Sequence, residues 1–232
     1  MFTKTASYYD ALYNFKDYSE ASDHLHQLIQ SYNPNAKTLL DVACGTGKHI
    51  EHLRNRYQVV GIDLNAELLE VAHTRCPDVP FYQKDMTDFD LSVTFDVVVC
   101  LFSSIAYVQT VDNLNKTVKC LAQHLNLGGL LVIEPWITPD QYVVGKITAN
   151  FVDQPNLKIA WMYVSQLKDN TSVFNINYMV GTPEGVNNFS EEHIMGLWTD
   201  IDYRSAMEKA SVEVNYDPKG LFGRGMYYGV KQ

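Results

Sequence analysis

Apolar and polar positions follow two different regimes along the chain. Up to Glu134, short β-branched runs alternate with longer amphipathic stretches, the pattern of βαβ units around a mostly parallel sheet. These runs predict strands at Thr38 to Ala43, Gln58 to Leu64, Phe81 to Lys84, Phe95 to Cys100 and Gly129 to Glu134. Between the last two, Leu114, Val118, Leu121 and Leu125 recur at helical spacing, with Asp112 in the first turn and Gly128-Gly129 beyond the end. A leading helix from about Ser19 to Tyr32 should close at Asn33-Pro34, because the residue before proline disfavours the α region. After Pro135 the pattern changes. Lys158 to Leu167 and Thr171 to Val180 alternate like a half-exposed antiparallel pair turning at Lys168-Asp169-Asn170. Glu191 to Thr199 and Met226 to Lys231 read as further strands, and Asp202 to Ser211 as a short helix. The expectation is an α/β core followed by antiparallel additions, with no linker to separate them.

Thr38 to Gly47 reads TLLDVACGTG, a buried strand entering a glycine-rich turn, with a helix starting near Lys48. That arrangement is a nucleotide-type site in which Gly45 and Gly47 let the backbone approach a ligand closely. A dinucleotide fingerprint needs a third glycine three residues further on, where this chain has Ile50. The third glycine brings helix and strand together beside a pyrophosphate. S-adenosylmethionine has no pyrophosphate, so the pattern favours it over NAD or FAD. Asp63 ends the second strand, where a carboxylate accepts ribose hydroxyls, and Asp85-Met86 ends the third, where an acceptor and an apolar side chain suit adenine. Leu101-Phe102-Ser103-Ser104 follows the fourth strand. All four elements fall at carboxyl ends of strands, where an open α/β sheet forms its binding crevice.

Composition narrows the partners. Eighteen basic against twenty-seven acidic residues give a net charge of -9, and no Lys/Arg-rich run tracks a phosphate backbone, which argues against nucleic acid. Cys44, Cys76, Cys100 and Cys120 form no C-x-x-C pair and fit a reducing cytoplasm. Met1 to Asp10 lacks the apolar run of a signal peptide, and no stretch is apolar enough to span a bilayer, so a soluble, unexported protein is expected. His24 with His26 and His49 with His52 stand close in sequence, but neither pair has a carboxylate or cysteine at ligand spacing, and no metal is expected.

Together these residues resemble the class I S-adenosylmethionine-dependent methyltransferases, and more closely the N,N-dimethyltransferases of dTDP-3-amino-deoxysugars, of the desosamine and mycaminose type used in antibiotic biosynthesis. The resemblance covers nearly the whole length. Its landmarks are Lys16-Asp17-Tyr18, Leu39 to Gly47, Asp85 to Phe89, Phe102-Ser103-Ser104-Ile105, Glu134-Pro135-Trp136 and Gly223-Arg224-Gly225. It implies a Rossmann-like class I fold over 1–232 as one methyltransferase domain, with 1–135 mainly cofactor core and about 136–200 an antiparallel substrate-capping insertion. It implies that Tyr9, Tyr18, Ala43, Gly45, Asp63, Leu64, Asp85, Met86 and Leu101 surround S-adenosyl-L-methionine, alongside Asp41 and Gly47 of the glycine block. It places Tyr107, Trp136 and Arg224 toward the acceptor, a small molecule. A homodimer is compatible with the pattern.

The individual residues carry distinct chemistry. Arg224, between glycines, suits bidentate binding of a phosphate, or is a solvated turn arginine. Tyr107 is the candidate catalytic residue, able to hydrogen-bond the acceptor amine or pass its proton to water, or is a packing residue at the rim. His193 is a further candidate for the pocket, or an ordinary strand histidine. Trp136, Trp161, Tyr163, Tyr178 and Trp198 give the second half an aromatic lining. Methyl transfer from a sulfonium is an in-line displacement with an already activated donor, so alignment in a dry crevice is the main task and a strong base is not needed. Three functions stay open: N-methylation of a nucleotide-linked amino sugar, N- or O-methylation of another small metabolite, and a catalytically silent S-adenosylmethionine-binding protein. Leu157 to Val180 contains no arginine, which keeps the second in view.

Overall fold

A computed structural model describes residues 4–232; the first three residues of the Met1 to Asp10 segment lie outside it. After a 3-10 turn at Ala6–Tyr8 come α1 (Tyr9–Leu12) and α2 (Tyr18–Tyr32). Asp17 caps α2 by accepting from the Glu20 amide at 2.9 Å, Leu25 and Ile29 are its fully buried stripe, and it stops at Asn33 before Pro34. The core then alternates β1 (Thr38–Val42), α3 (Lys48–Leu53), β2 (Gln58–Asp63), α4 (Ala66–Arg75), β3 (Phe81–Gln83) and β4 (Phe95–Cys100). A 3-10 turn at Ser104–Val108 leads into α5 (Val111–Gln123) and β5 (Leu125–Ile133). The additions are β6 (Ile147–Gln154), β7 (Leu157–Val164), β8 (Gln166–Lys168), β9 (Thr171–Thr182) and β10 (Gly185–Gly196). The chain closes with α6 (Asp200–Lys209), β11 (Val212–Asp217) and β12 (Met226–Lys231).

The first sheet has the order β11-β12-β5-β4-β1-β2-β3. β1 to β5 are mutually parallel, and β12 joins antiparallel to β5. The chain winds outward from β1 to β3 and then crosses back to β4, so the carboxyl ends of β1 and β4 flank the switch point where such sheets open a crevice. The second sheet is antiparallel, β10-β9-β7-β6, with β8 paired to β9. One buried cluster joins the two: Val98, Leu131 and Ile133 of the parallel sheet pack in the same core as Phe174 and Met195 of the second. This is the Rossmann-like α/β class with an antiparallel cap. Among the described residues no helix is long and apolar enough to cross a membrane.

The structure corrects several boundaries. α5 ends at Gln123, and Leu125, expected on the helix, instead opens β5 opposite Phe95. Gly128-Gly129 does not stop the helix. It lies within β5, where pairing jumps from Phe95↔Leu125 to Val97↔Leu130, with Gly128 at φ +76 absorbing the extra residues as a bulge. The insertion, expected as an antiparallel pair with a further strand at Glu191 to Thr199, has five strands. The first run breaks at Ser165, whose hydroxyl donates to the Val143 carbonyl at 2.6 Å, and β7 pairs with β6 as well as β9. β6 shows no apolar-in, polar-out alternation because its apolar Ile147 and Phe151 face solvent. β10 begins at Gly185 and ends at Gly196 rather than Thr199, since Thr199 is the cap of α6 in a reciprocal pair with Asp202. β11, rich in polar residues, likewise carries no apolar run to mark it in the sequence.

Candidate functional site

The glycine turn after β1 shapes the first part of the site. Ala43 and Gly45 have positive φ of 60° and 56°, and a Cβ at Gly45 would meet nothing within 4 Å, so its face of the turn opens to a ligand. Gly47 behaves differently. At φ +73 it caps α3, and a Cβ there would lie 3.3 Å from that of Ala72; it packs turn against α4 and lines none of the cavities described below. Asp63 holds the turn from β2: one carboxylate oxygen accepts from the Gly45 amide at 2.8 Å, the other from the Asn65 amide at 2.8 Å. Each oxygen retains acceptor capacity. Burial raises its pKa, and the same amide bonds oppose that shift.

A cavity of ≈ 320 Å³ lies here, lined by Ala43, Gly45, Asp63, Leu64, Asp85 and Met86 and floored by Tyr107 and Tyr9. A smaller hollow adjoins it, sharing Tyr9, Ala43, Gly45 and Ser104 and lined further by Tyr18, Asp41, His49 and Leu101. Asp41 is almost fully buried; burial first, and the Asp63 charge second, push its carboxyl up to about 8. Of the eleven residues expected around the cofactor, the structure gathers all but Gly47 in these two spaces. Gln109 and Asn113 at the entry to α5 also line the first cavity. Nothing in their local pattern marked them, because the 3-10 turn and the φ of +64 at Gln109 bring them in.

The second cavity, ≈ 260 Å³, lies between the parallel core and the second sheet. Tyr107, Trp136, His193 and Arg224 all line it, with Tyr13, Trp161, Tyr163, Phe174 and Tyr178 as aromatic wall. Trp198 does not join them: it is buried under Gly196 and packs edge-on against Tyr203. Tyr9, Ser104 and Tyr107 border both large cavities, so this is where the two spaces meet. The Tyr107 hydroxyl is 2.8 Å from His193 Nδ1. Desolvation holds His193 down at about 4 and keeps the Tyr107 phenol well above its ordinary range, so both are neutral at pH 7.

Three of the sequence landmarks meet at the wall of the second cavity. Phe102 and Ser103 have positive φ of 52° and 62°, a strained backbone for non-glycine residues. Glu134, fully buried at the end of β5, accepts from the Phe102 amide at 2.6 Å, and the Ser103 hydroxyl donates to the Pro135 carbonyl at 2.6 Å. Arg224 Nη1 donates to the same hydroxyl at 3.0 Å and its guanidinium stands 4.6 Å from the Trp136 ring. The loop after β4 is therefore pinned by the other two landmarks. The histidine pairs disperse: His26 Nδ1 is 2.6 Å from the Tyr57 hydroxyl and His49 Nδ1 is 3.2 Å from the Ser22 hydroxyl. Among the described residues no group of three or more potential ligands converges on one point.

Residues 39–129 match a family model described as a methyltransferase domain. The chain is 37% identical over 97% of its length, and 92% of the relative's, to a dTDP-4-amino-2,3,4,6-tetradeoxy-D-glucose N,N-dimethyltransferase of Saccharopolyspora spinosa. It is 35% identical, over 97% of both chains, to a dTDP-3-amino-3,4,6-trideoxy-alpha-D-glucopyranose N,N-dimethyltransferase of Streptomyces venezuelae. Among solved structures it superposes with a TM-score of 0.89 on CalS10, an amino pentose methyltransferase from Micromonospora echinaspora with S-adenosylmethionine bound, at 30% identity, covering 100% of this chain and 98% of that one. An activated-methyl donor explains a glycine turn without the third glycine, a buried carboxylate behind it, and an aromatic second cavity open to the first. The chain belongs to the S-adenosylmethionine-dependent methyltransferases, in the family of the dTDP-amino-sugar N,N-dimethyltransferases.

Proposed function

We propose that the protein methylates the amino group of a dTDP-linked amino deoxysugar, with the cofactor in the cavity beside Asp63 and the sugar in the cavity beside Trp136. The observation that carries this reading is the junction: Tyr9, Ser104 and Tyr107 border both spaces, so a methyl group presented from one reaches a nucleophile held in the other. Asp63 would accept the ribose hydroxyls, Asp85 and Met86 would flank adenine, and Asp41, Tyr18 and Leu101 would enclose the methionine end. In the transfer, the amine lone pair forms the N–C bond while the C–S bond breaks and sulfur keeps its electron pair as a neutral thioether. The resulting ammonium gives its proton to water on release.

The amine must arrive neutral. A cavity walled by Tyr163, Phe174 and Tyr178 disfavours the charged form by desolvation, and the Tyr107–His193 pair offers it a hydrogen bond without a charge. Tyr107 acts as the positioning partner of the nitrogen rather than as a phenolate base. Arg224 supplies the charge complement for the phosphates of the nucleotide carrier.

Incubation with S-adenosylmethionine and dTDP-3-amino or dTDP-4-amino deoxysugars, followed by mass spectrometry, tests the proposal. Gains of one and then two methyl masses are expected. No gain on either sugar, with methylation of a small amine or hydroxy metabolite, would replace it by that second reading. No transfer to any acceptor would point to a silent cofactor-binding protein.

The same reading includes two further elements. The outer face of the second sheet exposes Ile147, Phe151, Met162 and Met179, which a second copy of the chain would cover in a homodimer. All four cysteines are free thiols, in keeping with work in the reducing cytoplasm.

A further inference from the structure

Lys16 and Arg224 come from opposite ends of the chain to the same aromatic ring. Lys16 Nζ is 5.1 Å from the Phe102 centroid and 4.3 Å from that of Phe222. Arg224 Cζ is 5.6 Å from the Phe102 centroid and 4.6 Å from that of Trp136. Neither cation has a carboxylate within ion-pair distance among the described residues, although seven other such pairs are formed there. The carboxylate whose field reaches both is Glu134, and one of its oxygens is committed to the Phe102 amide.

Cation–ring attraction favours each contact singly, but it gives no reason for two like charges to share one ring. Their mutual repulsion is visible in Lys16, whose pKa is lowered by burial and, after that, by Arg224. Two partly desolvated cations set against the single carboxylate of Glu134, with no ion pair to it, leave positive charge uncompensated, which is complementary to a ligand that brings negative charge with it.

Position identifies the ligand chemistry. Arg224 lines the acceptor cavity, Lys16 lines an open groove outside it together with Lys48 and His52, and Phe15 borders both. The two charges therefore mark the point where the enclosed cavity opens to solvent. We propose that Lys16 and Arg224 form a diphosphate clamp at this mouth, with the sugar inside, its amine toward Tyr107, and the nucleoside outward along the groove beside Phe15. Arg224 offers a planar fork to one phosphate and Lys16 a point charge to the other. The clamp rests on the nucleotide-sugar reading above and adds Lys16 as a second determinant of specificity for the carrier.

Calorimetry on the full chain loaded with S-adenosylhomocysteine, using dTDP as titrant and inorganic pyrophosphate as competitor, tests it. Lys16→Met keeps the stem over Phe222 and removes the charge, so dTDP affinity should fall about tenfold or more, the loss expected of one charge-assisted contact. Lys16→Arg should restore most of it, and S-adenosylhomocysteine should bind all three proteins alike. Pyrophosphate should displace dTDP from the wild type, and displace it less effectively from Lys16→Met. Equal dTDP affinity in wild type and Lys16→Met would overturn the clamp while leaving the nucleotide-sugar reading standing. Failure of the wild type to bind dTDP at all would bring down both.

Discussion

The Tyr107 hydroxyl stands 2.8 Å from Nδ1 of His193, and this bond crosses from the turn after β4 to β10 of the second sheet. It ties the first cavity to the second at the place where the two meet. Tyr107→Phe removes the hydroxyl and leaves the ring that both cavities need. The expected outcome is a loss in kcat of roughly 10- to 100-fold with near-normal S-adenosylmethionine affinity, since alignment of the amine is lost rather than binding of the donor. A variant with unchanged kcat would remove Tyr107 from the mechanism.

The pH profile separates positioning from general-base catalysis. His193 is held at about 4 by desolvation, below its ordinary value, so it is already neutral across the range in which an amine substrate loses its proton. kcat/KM should rise with pH along the acceptor's own titration, and His193→Asn should lower the plateau without moving the midpoint. A displaced midpoint in that variant would make His193 the base. Stability gives an independent readout: because the folded-state pKa is depressed, the contribution of neutral His193 is present above about pH 6.5 and is lost as pH falls toward about 4. His193→Asn should flatten that part of the thermal-stability curve.

How much of this was legible in the sequence follows the physics of each element. Strands β1, β2 and β4 are buried on both faces and announce themselves as continuous apolar runs, and the landmarks at their ends follow from the same topology. β6 is obscured because nearly all of it is solvent-exposed, apolar residues included, and β10 is legible only from Glu191, where burial alternates, and not over its exposed first residues from Gly185. Gly128-Gly129 was ambiguous in kind: the same pair serves a helix end or a bulge, and only the pairing of Leu125 with Phe95 decides. The Tyr107–His193 contact spans 86 residues of sequence, and no local pattern encodes it.

The two glycines of the turn after β1 should respond differently to the same change. At Gly45 a Cβ meets open space, so Gly45→Val should leave the fold largely intact apart from the strain of its positive φ, while blocking the cofactor from the turn. At Gly47 the added atoms meet Ala72, so Gly47→Val should lower Tm through the α3–α4 packing. Calorimetry with S-adenosylmethionine and thermal denaturation of both variants check this. Normal cofactor affinity in Gly45→Val would contradict the assignment of the turn.

Asp63→Ala should weaken S-adenosylmethionine binding by more than tenfold, because charge-assisted bonds of about 1.5–3 kcal/mol each are lost. Part of that loss comes through the turn, since the same carboxylate holds the Gly45 amide. Asp63→Asn separates the two: it keeps one acceptor oxygen for either the amide or a ribose hydroxyl, and should bind more tightly than the alanine variant. Titration calorimetry at fixed pH reads the difference, and wild-type affinity in Asp63→Ala would exclude this carboxylate from the site.

Asp41 should couple cofactor binding to protons. With its carboxyl pushed up to about 8 by burial and by Asp63, it is largely protonated at pH 7 in the protein alone. A cationic cofactor entering the hollow beside it favours the carboxylate, so binding at pH 7 should release protons, and the measured enthalpy should vary with the ionisation enthalpy of the buffer. Asp41→Asn should abolish that variation. For a carboxyl with a raised folded-state pKa, the stabilising contribution is present below its unfolded value and is lost as pH rises toward about 8, so Asp41→Asn should raise the Tm of the cofactor-free protein at pH 8. Buffer-independent binding by the wild type would show that Asp41 keeps its proton.

Arg224 has two jobs in the structure, and they predict separable losses. Its guanidinium donates to Ser103, bracing the strained loop after β4, and it lies against Trp136 inside the second cavity. If the acceptor is carried on a diphosphate, Arg224→Ala should raise its KM by about 100-fold while S-adenosylmethionine affinity changes little, because the lost bonds belong to the phosphate. Ser103→Ala removes the brace and leaves the cation, so it should change KM far less. Arg224→Lys should recover only part, since lysine keeps a point charge but neither the two-pronged geometry nor the guanidinium contact with the Trp136 ring. Added salt should weaken acceptor binding only modestly in the wild type, because Arg224 is partly withdrawn from solvent. An unchanged KM for a dTDP-amino sugar in Arg224→Ala would leave the phosphates without their inner partner, and a small amine lacking a nucleotide would then fit the cavity better.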